Sequence, residues 1–199
     1  MDGVISSRED IRREMARLRL QISPEERACN DARIENAILS TKLWSDCDHI
    51  FAYGAMAGEP ELRVVMETAL HEGKTLALPK CLDGERMDFY RVTSPDELDT
   101  GMYGIREPVR CDRDDLMEPD RSSLILIPCL AYDTRGYRLG HGKGYYDRYL
   151  ARTDRQAETM IVAYRLQQTE GLPAVKEDIP AAWIATEEGV MQSRQYDGY

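Results

Sequence analysis

The stretch that decides the fold is SLILIPCLAYDTRGYRLGHGKGYYDRYL, residues 123–150. Its first part, Ser123 to Leu130, is apolar at nearly every position, whereas a strand with one wet face alternates; continuous apolarity predicts a strand covered on both faces, in the middle of a mainly parallel sheet with helices on either side. Directly after its exit loop come three alternating glycines, Gly140, Gly142 and Gly144, with Lys143 among them. Such a loop turns tightly and brings backbone N–H groups close to an anion, and a helix starting near Gly144 adds a favourable dipole. Alternating glycines are also simply flexible turns, and the spacing matches neither GxxxxGK[ST] nor GxGxxG, so no Walker or dinucleotide fingerprint is read here. What the pattern supports is a basic glycine loop at the carboxyl end of a central strand, where open α/β sheets bind ligands.

Outward from this core, HIFAYGAM, TLALPKC, MDFYRV and TMIVAYR read as further strands, bounded by Gly, Pro, Asp or charge. Between the first two, PELRVVMETALHEG predicts a helix opened by Pro60 and ended by Gly73, with Leu62, Val65, Met66, Ala69 and Leu70 on its apolar face. Residues 112–122 are polar and irregular and read as a surface loop. Ahead of the strands, Ile11, Met15, Leu18 and Ile22 recur at helical spacing among arginines and carboxylates. Ser23-Pro24-Glu25-Glu26 then offers an N-cap, a first-turn proline and a capping box for a second helix running to about Leu43. The expectation is one α/β domain over residues 1–199, with a helical pair at about 7–43 and an α/β core at about 48–190.

Composition sets limits. The chain has 199 residues, formal net charge −10 and a pI near 4.9, which argues against a broad nucleic-acid surface, because phosphate neutralisation needs a clustered basic face. The five cysteines, Cys29, Cys47, Cys81, Cys111 and Cys129, form no CxxC pair and no closed disulfide set. Reduced thiols fit a cytosol. The charged opening MDGVISSREDIRREM lacks a signal peptide's apolar segment, and no apolar run approaches bilayer length, so the reading is a soluble, cytoplasmic chain.

The segment IPCLAYDTRGYRLGHGKGYYDRYL resembles that of the 5-formyltetrahydrofolate cyclo-ligase family, also called 5,10-methenyltetrahydrofolate synthetases. The likeness extends in order through a basic amino-terminal helix, a strand followed by GEPELR, LPKC, MDFYRV, YGIREP and a late aspartate before the final strand. It implies a three-layer α/β/α, Rossmann-like fold of the sugar-phosphate isomerase and CoA-transferase kind. It also implies ATP- and Mg2+-dependent cyclisation of 5-formyltetrahydrofolate, with or without a polyglutamate tail, to the 5,10-methenyl form, with release of ADP and phosphate. A small-molecule substrate, no nucleic-acid or membrane partner and a monomer go with it.

Residue by residue, the resemblance places Arg8 and Arg12 on ATP, four apart on one helical face; the family usually has lysine at the first, so Arg8 keeps charge but not geometry. It places Arg138, Leu139, Gly140, His141, Gly142, Lys143, Gly144, Tyr145 and Tyr146 at the phosphates, with Lys143 and Arg138 the strongest candidates for catalysis. His141 to Tyr145 also border the folate. His141 stands where the family varies and is not proposed as an obligate base. Asp147 and Asp178 match the aspartates for magnesium, Glu59 the carboxylate that accepts from the pterin, Tyr53 and Gly54 a wall beside it, and Tyr103 an aromatic near substrate. Each has a plainer reading: a solvated face for Arg8 and Arg12, a helix-dipole acid for Asp147, a loop acid for Asp178, a helix cap for Glu59, a packing residue for Tyr103. Cys129 stands where glycine is commoner and reads as a small buried residue, not a nucleophile. The rivals are a non-catalytic folate- or nucleotide-binding protein and a different small-molecule enzyme on the same scaffold.

Overall fold

The computed structural model describes residues 7–101, 104–153 and 157–194. Along the chain run α1 (Arg8–Arg19), α2 (Pro24–Leu39), α3 (Lys42–Asp46), β1 (His49–Phe51), α4 (Arg63–His71), β2 (Thr75–Cys81), β3 (Met87–Val92), β4 (Leu98–Thr100), β5 (Arg106–Pro108), β6 (Leu116–Met117), β7 (Ser123–Pro128), β8 (Ala131–Tyr132), β9 (Arg138–Leu139), α5 (Tyr145–Arg152), β10 (Glu158–Val162), β11 (Trp183–Thr186) and β12 (Gly189–Gln192). Eight strands form one sheet in the order β12-β11-β10-β7-β1-β2-β3-β6. The five from β11 to β2 are mutually parallel, and the edge pairings are antiparallel: β12 on β11, β3 on β2 and β6 on β3.

The apolar run sits where its composition demands. β7 pairs with β1 at Ile50↔Leu124 and with β10 at Met160↔Leu126, and its side chains alternate between two cores. Leu124 and Leu126 meet Ile34 and Ile38 of α2 and Val65 and Met66 of α4, whereas Ile125 and Ile127 meet Phe89 of β3 and Tyr149 and Leu150 of α5. Helices therefore cover both faces, giving the three α/β/α layers expected of a strand without a polar side.

The helical pair forms with a correction at its end. Ser23 Oγ accepts from Glu26 N at 3.1 Å, the hydroxyl arm of the capping box. The second helix stops at Leu39 rather than Leu43, because Ser40 and Thr41 turn their hydroxyls back onto the Asn36 and Ile38 carbonyls and Thr41 then caps α3 through Trp44 N. Pro60 does not open α4. That helix starts at Arg63, two residues past Glu61, and its Val64 N–H is taken by the Glu35 carboxylate of α2 at 2.7 Å, a cap from 29 residues away. Gly73 ends the helix at φ +77° as expected. SLILIPCLAYD is two elements: the sheet strand ends at Pro128, and Ala131–Tyr132 pairs with β9 as a small hairpin in the register Tyr132↔Arg138. The polar stretch 112–122 is not all loop, since β6 pairs with β3 at Phe89↔Met117.

Candidate active-site cleft

A cleft of about 810 Å3 opens at the carboxyl ends of β1, β2 and β7, within the range of small-molecule sites. The β8–β9 hairpin leads the chain from β7 to its mouth, and the glycine loop closes it. Gly142 and Gly144 take φ of +91° and +65°, backbone conformations that a side chain disfavours, whereas Gly140 does not. Gly144 is the N-cap of α5 and offers no side chain to the first-turn N–H groups. Those donors and the dipole behind them favour a bound anion.

Cations rim this end: Arg8 and Arg12 from α1, Lys143 from the loop and Arg148 from α5. Arg12 Nε donates to the Gly140 carbonyl at 2.9 Å, clipping α1 to the glycine loop. Arg8 grips Asp178 with both guanidinium nitrogens, at 2.6 and 3.1 Å, and also donates to Pro173 O. The hydrogen bond to Asp178 raises the Arg8 pKa. Burial works to raise the Asp178 carboxyl, but the bonds from Arg8 and Val175 N–H outweigh it and leave that pKa below the usual carboxylate value. Arg138 lies deeper, its side chain 4% exposed, and donates to Ile179 O at 2.6 Å and Asp147 Oδ1 at 2.8 Å. Ile179 N–H also donates to that oxygen. Asp147, in the first turn of α5, thus joins the glycine-loop helix to the 173–179 segment.

The other end is apolar, walled by Tyr53, Met56, Pro79, Met87, Ile105, Tyr145 and Tyr146, with two buried carboxylates, Glu59 and Glu107. Glu59 does not cap a helix. Its Oε2 accepts from Met56 N at 3.0 Å, and its Oε1 stands 4.0 Å from Arg19 and 3.6 Å from His141 Nε2. Tyr53 donates to Pro60 O, and burial holds its phenol pKa well above normal. Tyr146 is also pushed up by burial, and its hydroxyl is buried without a hydrogen-bond partner among the described residues. The Cys129 thiol is pushed up to about 12 by burial, which keeps it neutral and unreactive.

Of the residues singled out in the sequence, Arg8, Arg12, Tyr53, Gly54, Glu59, Arg138, Gly140, His141, Gly142, Lys143, Gly144, Tyr145, Tyr146, Asp147 and Asp178 all line this cleft. Leu139 does not: it packs behind the loop against Ile11, Ala131 and Leu172. Tyr103 lies outside the described residues. Glu107, Pro79, Cys81 and Met87 were missed as site residues although they belong to the YGIREP, LPKC and MDFYRV segments; what could have found them is that those segments lie at the ends of strands on the cleft side. Gly54 leaves no room for a side chain, since a Cβ would stand 2.2 Å from the Arg106 carbonyl oxygen. Gly54→Ala is therefore expected to push Arg106 and its segment away from the chain just past β1 at a cost of about 1–3 kcal/mol. A melting temperature equal to the parent's would contradict that packing.

A basic glycine loop at the ends of parallel strands, joined to an apolar chamber with buried carboxylates, has the form of an α/β small-molecule enzyme cleft. The chain belongs to the 5-formyltetrahydrofolate cyclo-ligase family, whose model matches residues 4–187. It is similar to the 5-formyltetrahydrofolate cyclo-ligase of Mus musculus, 28% identical with 88% of this chain and 91% of that protein covered, and to the probable 5-formyltetrahydrofolate cyclo-ligase of Caenorhabditis elegans, 30% identical over 76% of each. Among solved structures, the Aquifex aeolicus 5,10-methenyltetrahydrofolate synthetase superimposes with a TM-score of 0.81 at 34% identity, covering 96% of this chain and 94% of that one.

Proposed function

We propose that this chain uses ATP and magnesium to close 5-formyltetrahydrofolate to 5,10-methenyltetrahydrofolate, releasing ADP and phosphate. The observation that supports it is one cleft joining a basic glycine loop to an apolar chamber with buried carboxylates, so that a polyphosphate and a flat ring with N–H donors fit end to end. The formyl oxygen is a poor leaving group until phosphorylated. On this reading it attacks the γ-phosphorus, ADP leaves, and the amine nitrogen at position ten attacks the activated carbon. Its proton is lost and inorganic phosphate departs with the former formyl oxygen.

The protein's part is positioning and charge neutralisation. Backbone N–H groups of the loop and of α5 receive the phosphates, Lys143 and Arg12 offset their charge, and Arg138 acts from behind by fixing Asp147. Glu59 accepts from the heterocycle, with Tyr53 and Gly54 as wall. No protein nucleophile is needed, consistent with the neutral Cys129 thiol. Among the described residues no three His, Cys, Asp or Glu side chains gather into a metal nest. The donor set still suits magnesium, which takes few protein oxygens and keeps water and phosphate around it. Asp147 would hold it, since Arg138 and Ile179 both use its Oδ1. Asp178 would share it only where Arg8 yields a bond. Bound there, the ion would supply charge neutralisation at the phosphate oxygens.

The oxygen balance gives a direct test. With the formyl oxygen isotopically labelled, the label is expected in the inorganic phosphate released during turnover. Label recovered in water would contradict phosphorylation of the formyl group.

A further inference from the structure

Arg19 ends α1, and its side chain is 4% exposed, although the helix reads from sequence as apolar only at positions 11, 15, 18 and 22. Its Nη1 reaches the Cys129 carbonyl at a long 3.3 Å, and its Nε is buried with no hydrogen-bond partner among the described residues. A buried cation so poorly bonded is tolerated only beside a counter-charge. That charge is Glu59, whose side chain is equally buried and whose Oε1 stands 4.0 Å away, too far for a hydrogen bond but close for an ion pair. The turn carrying Glu59 lies on the arginine stem: at Gly58, φ +87°, a Cβ would stand 3.5 Å from Arg19 Cβ.

From the other side, Met56 N–H donates to Glu59 Oε2 and His141 faces Oε1 at 3.6 Å. Arg19 itself is not part of the cleft lining. We infer that Arg19 is the positioning residue for the folate end of the cleft, supplying the buried counter-charge that holds the Glu59 carboxylate in place for the N–H donors of the heterocycle. This rests on the reading that Glu59 receives the folate. Arg19 stands apart from Arg8 and Arg12 on the same helix, which rim the glycine-loop end of the cleft, because it acts through Glu59 and on the other substrate.

The test is a double-mutant cycle read in the KM of each substrate. Arg19→Met is expected to raise the KM for 5-formyltetrahydrofolate about tenfold, with the KM for ATP unchanged within about twofold. Arg19→Lys, which keeps the charge, is expected to recover most of the loss. Arg19→Met added to Glu59→Gln is expected to do no further harm, because the group it positions has already changed. Equal rises in both KM values, or additive effects in the double variant, would mark Arg19 as merely structural and overturn the inference. A raised folate KM in Glu59→Gln beside an unchanged one in Arg19→Met would overturn it as well. An unchanged folate KM in Glu59→Gln would instead overturn the reading of Glu59 and take the inference with it. Should Arg19→Met yield no folded protein, Arg19→Gln, which keeps a donor for the Cys129 carbonyl, carries the same cycle.

Discussion

Lys143→Ala is expected to lower turnover by roughly 10²–10³-fold, about 3–4 kcal/mol of transition-state stabilisation, which is what loss of one positioned charge donor costs in a preorganised site. The lysine stands between Gly142 and Gly144, the two loop residues at positive φ, on an exposed stretch that contributes no packing to either core. Stability should therefore hardly change, with the melting temperature within about 2 °C of the parent. Lys143→Arg is not a safe control, since a planar fork does not replace a compact ammonium in a tight glycine loop. Turnover within threefold of the parent, on the order of 0.6 kcal/mol, would remove Lys143 from the chemistry and leave the loop's backbone to do the binding.

The second large effect falls on stability and activity together. Asp147 Oδ1 takes both Arg138 Nη2 and Ile179 N–H, and the Arg138 side chain is 4% exposed. Asp147→Ala leaves that guanidinium buried with the Ile179 carbonyl as its only acceptor among the described residues, and removing one partner of a buried pair costs about 3–5 kcal/mol. Asp147 is itself 25% exposed, so the lower end, ~3 kcal/mol, is expected, or roughly 6–12 °C in melting temperature for a chain of this size. Asp147→Asn separates the roles. Its amide oxygen still accepts from both donors, so most of the stability should return. It lacks the charge for magnesium, so turnover should stay down by about 10²-fold. Thermal melts and initial rates on the two variants decide it: an Asn variant with parental turnover would make Asp147 purely structural.

Much of this architecture is legible in sequence because its signals are local. Near-continuous apolarity at Ser123–Ile127 predicts a strand with two covered faces; Ser23 and Gly73 mark helix ends through their own side-chain and backbone chemistry; the glycines and Lys143 mark the loop that lines the cleft. What local reading misses depends on partners distant along the chain. The carboxylate of Glu35 caps α4 from another helix, so Pro60, the usual local signal, misplaces that helix's start. Ser40 and Thr41 had a visible signal, hydroxyls able to bond back onto the preceding turn, but helical periodicity ran over it. β6 is two residues at a sheet edge, too short to show alternation.

The site divides the same way. The residues named in the glycine loop and α1 from the motif and its resemblance come together in the cleft, and Leu139 stands apart from them because the motif is contiguous while the cleft is not: in the β8–β9 hairpin Leu139 is buried among Ile11, Ala131 and Leu172, whereas its neighbour Arg138 lines the cleft. Glu107 and Arg19 were missed for the opposite reason. A charged residue among charged residues reads as surface, and only the fold shows that these two are buried.

The most direct test mixes the purified protein with 5-formyltetrahydrofolate, ATP and magnesium and follows the absorbance of the methenyl product, with ATP and magnesium each omitted in turn and Lys143→Ala alongside. Growth that requires ATP and magnesium and collapses in the variant is the expected result. Folded protein giving no growth, or growth indifferent to ATP, would contradict an ATP-driven ring closure in this cleft.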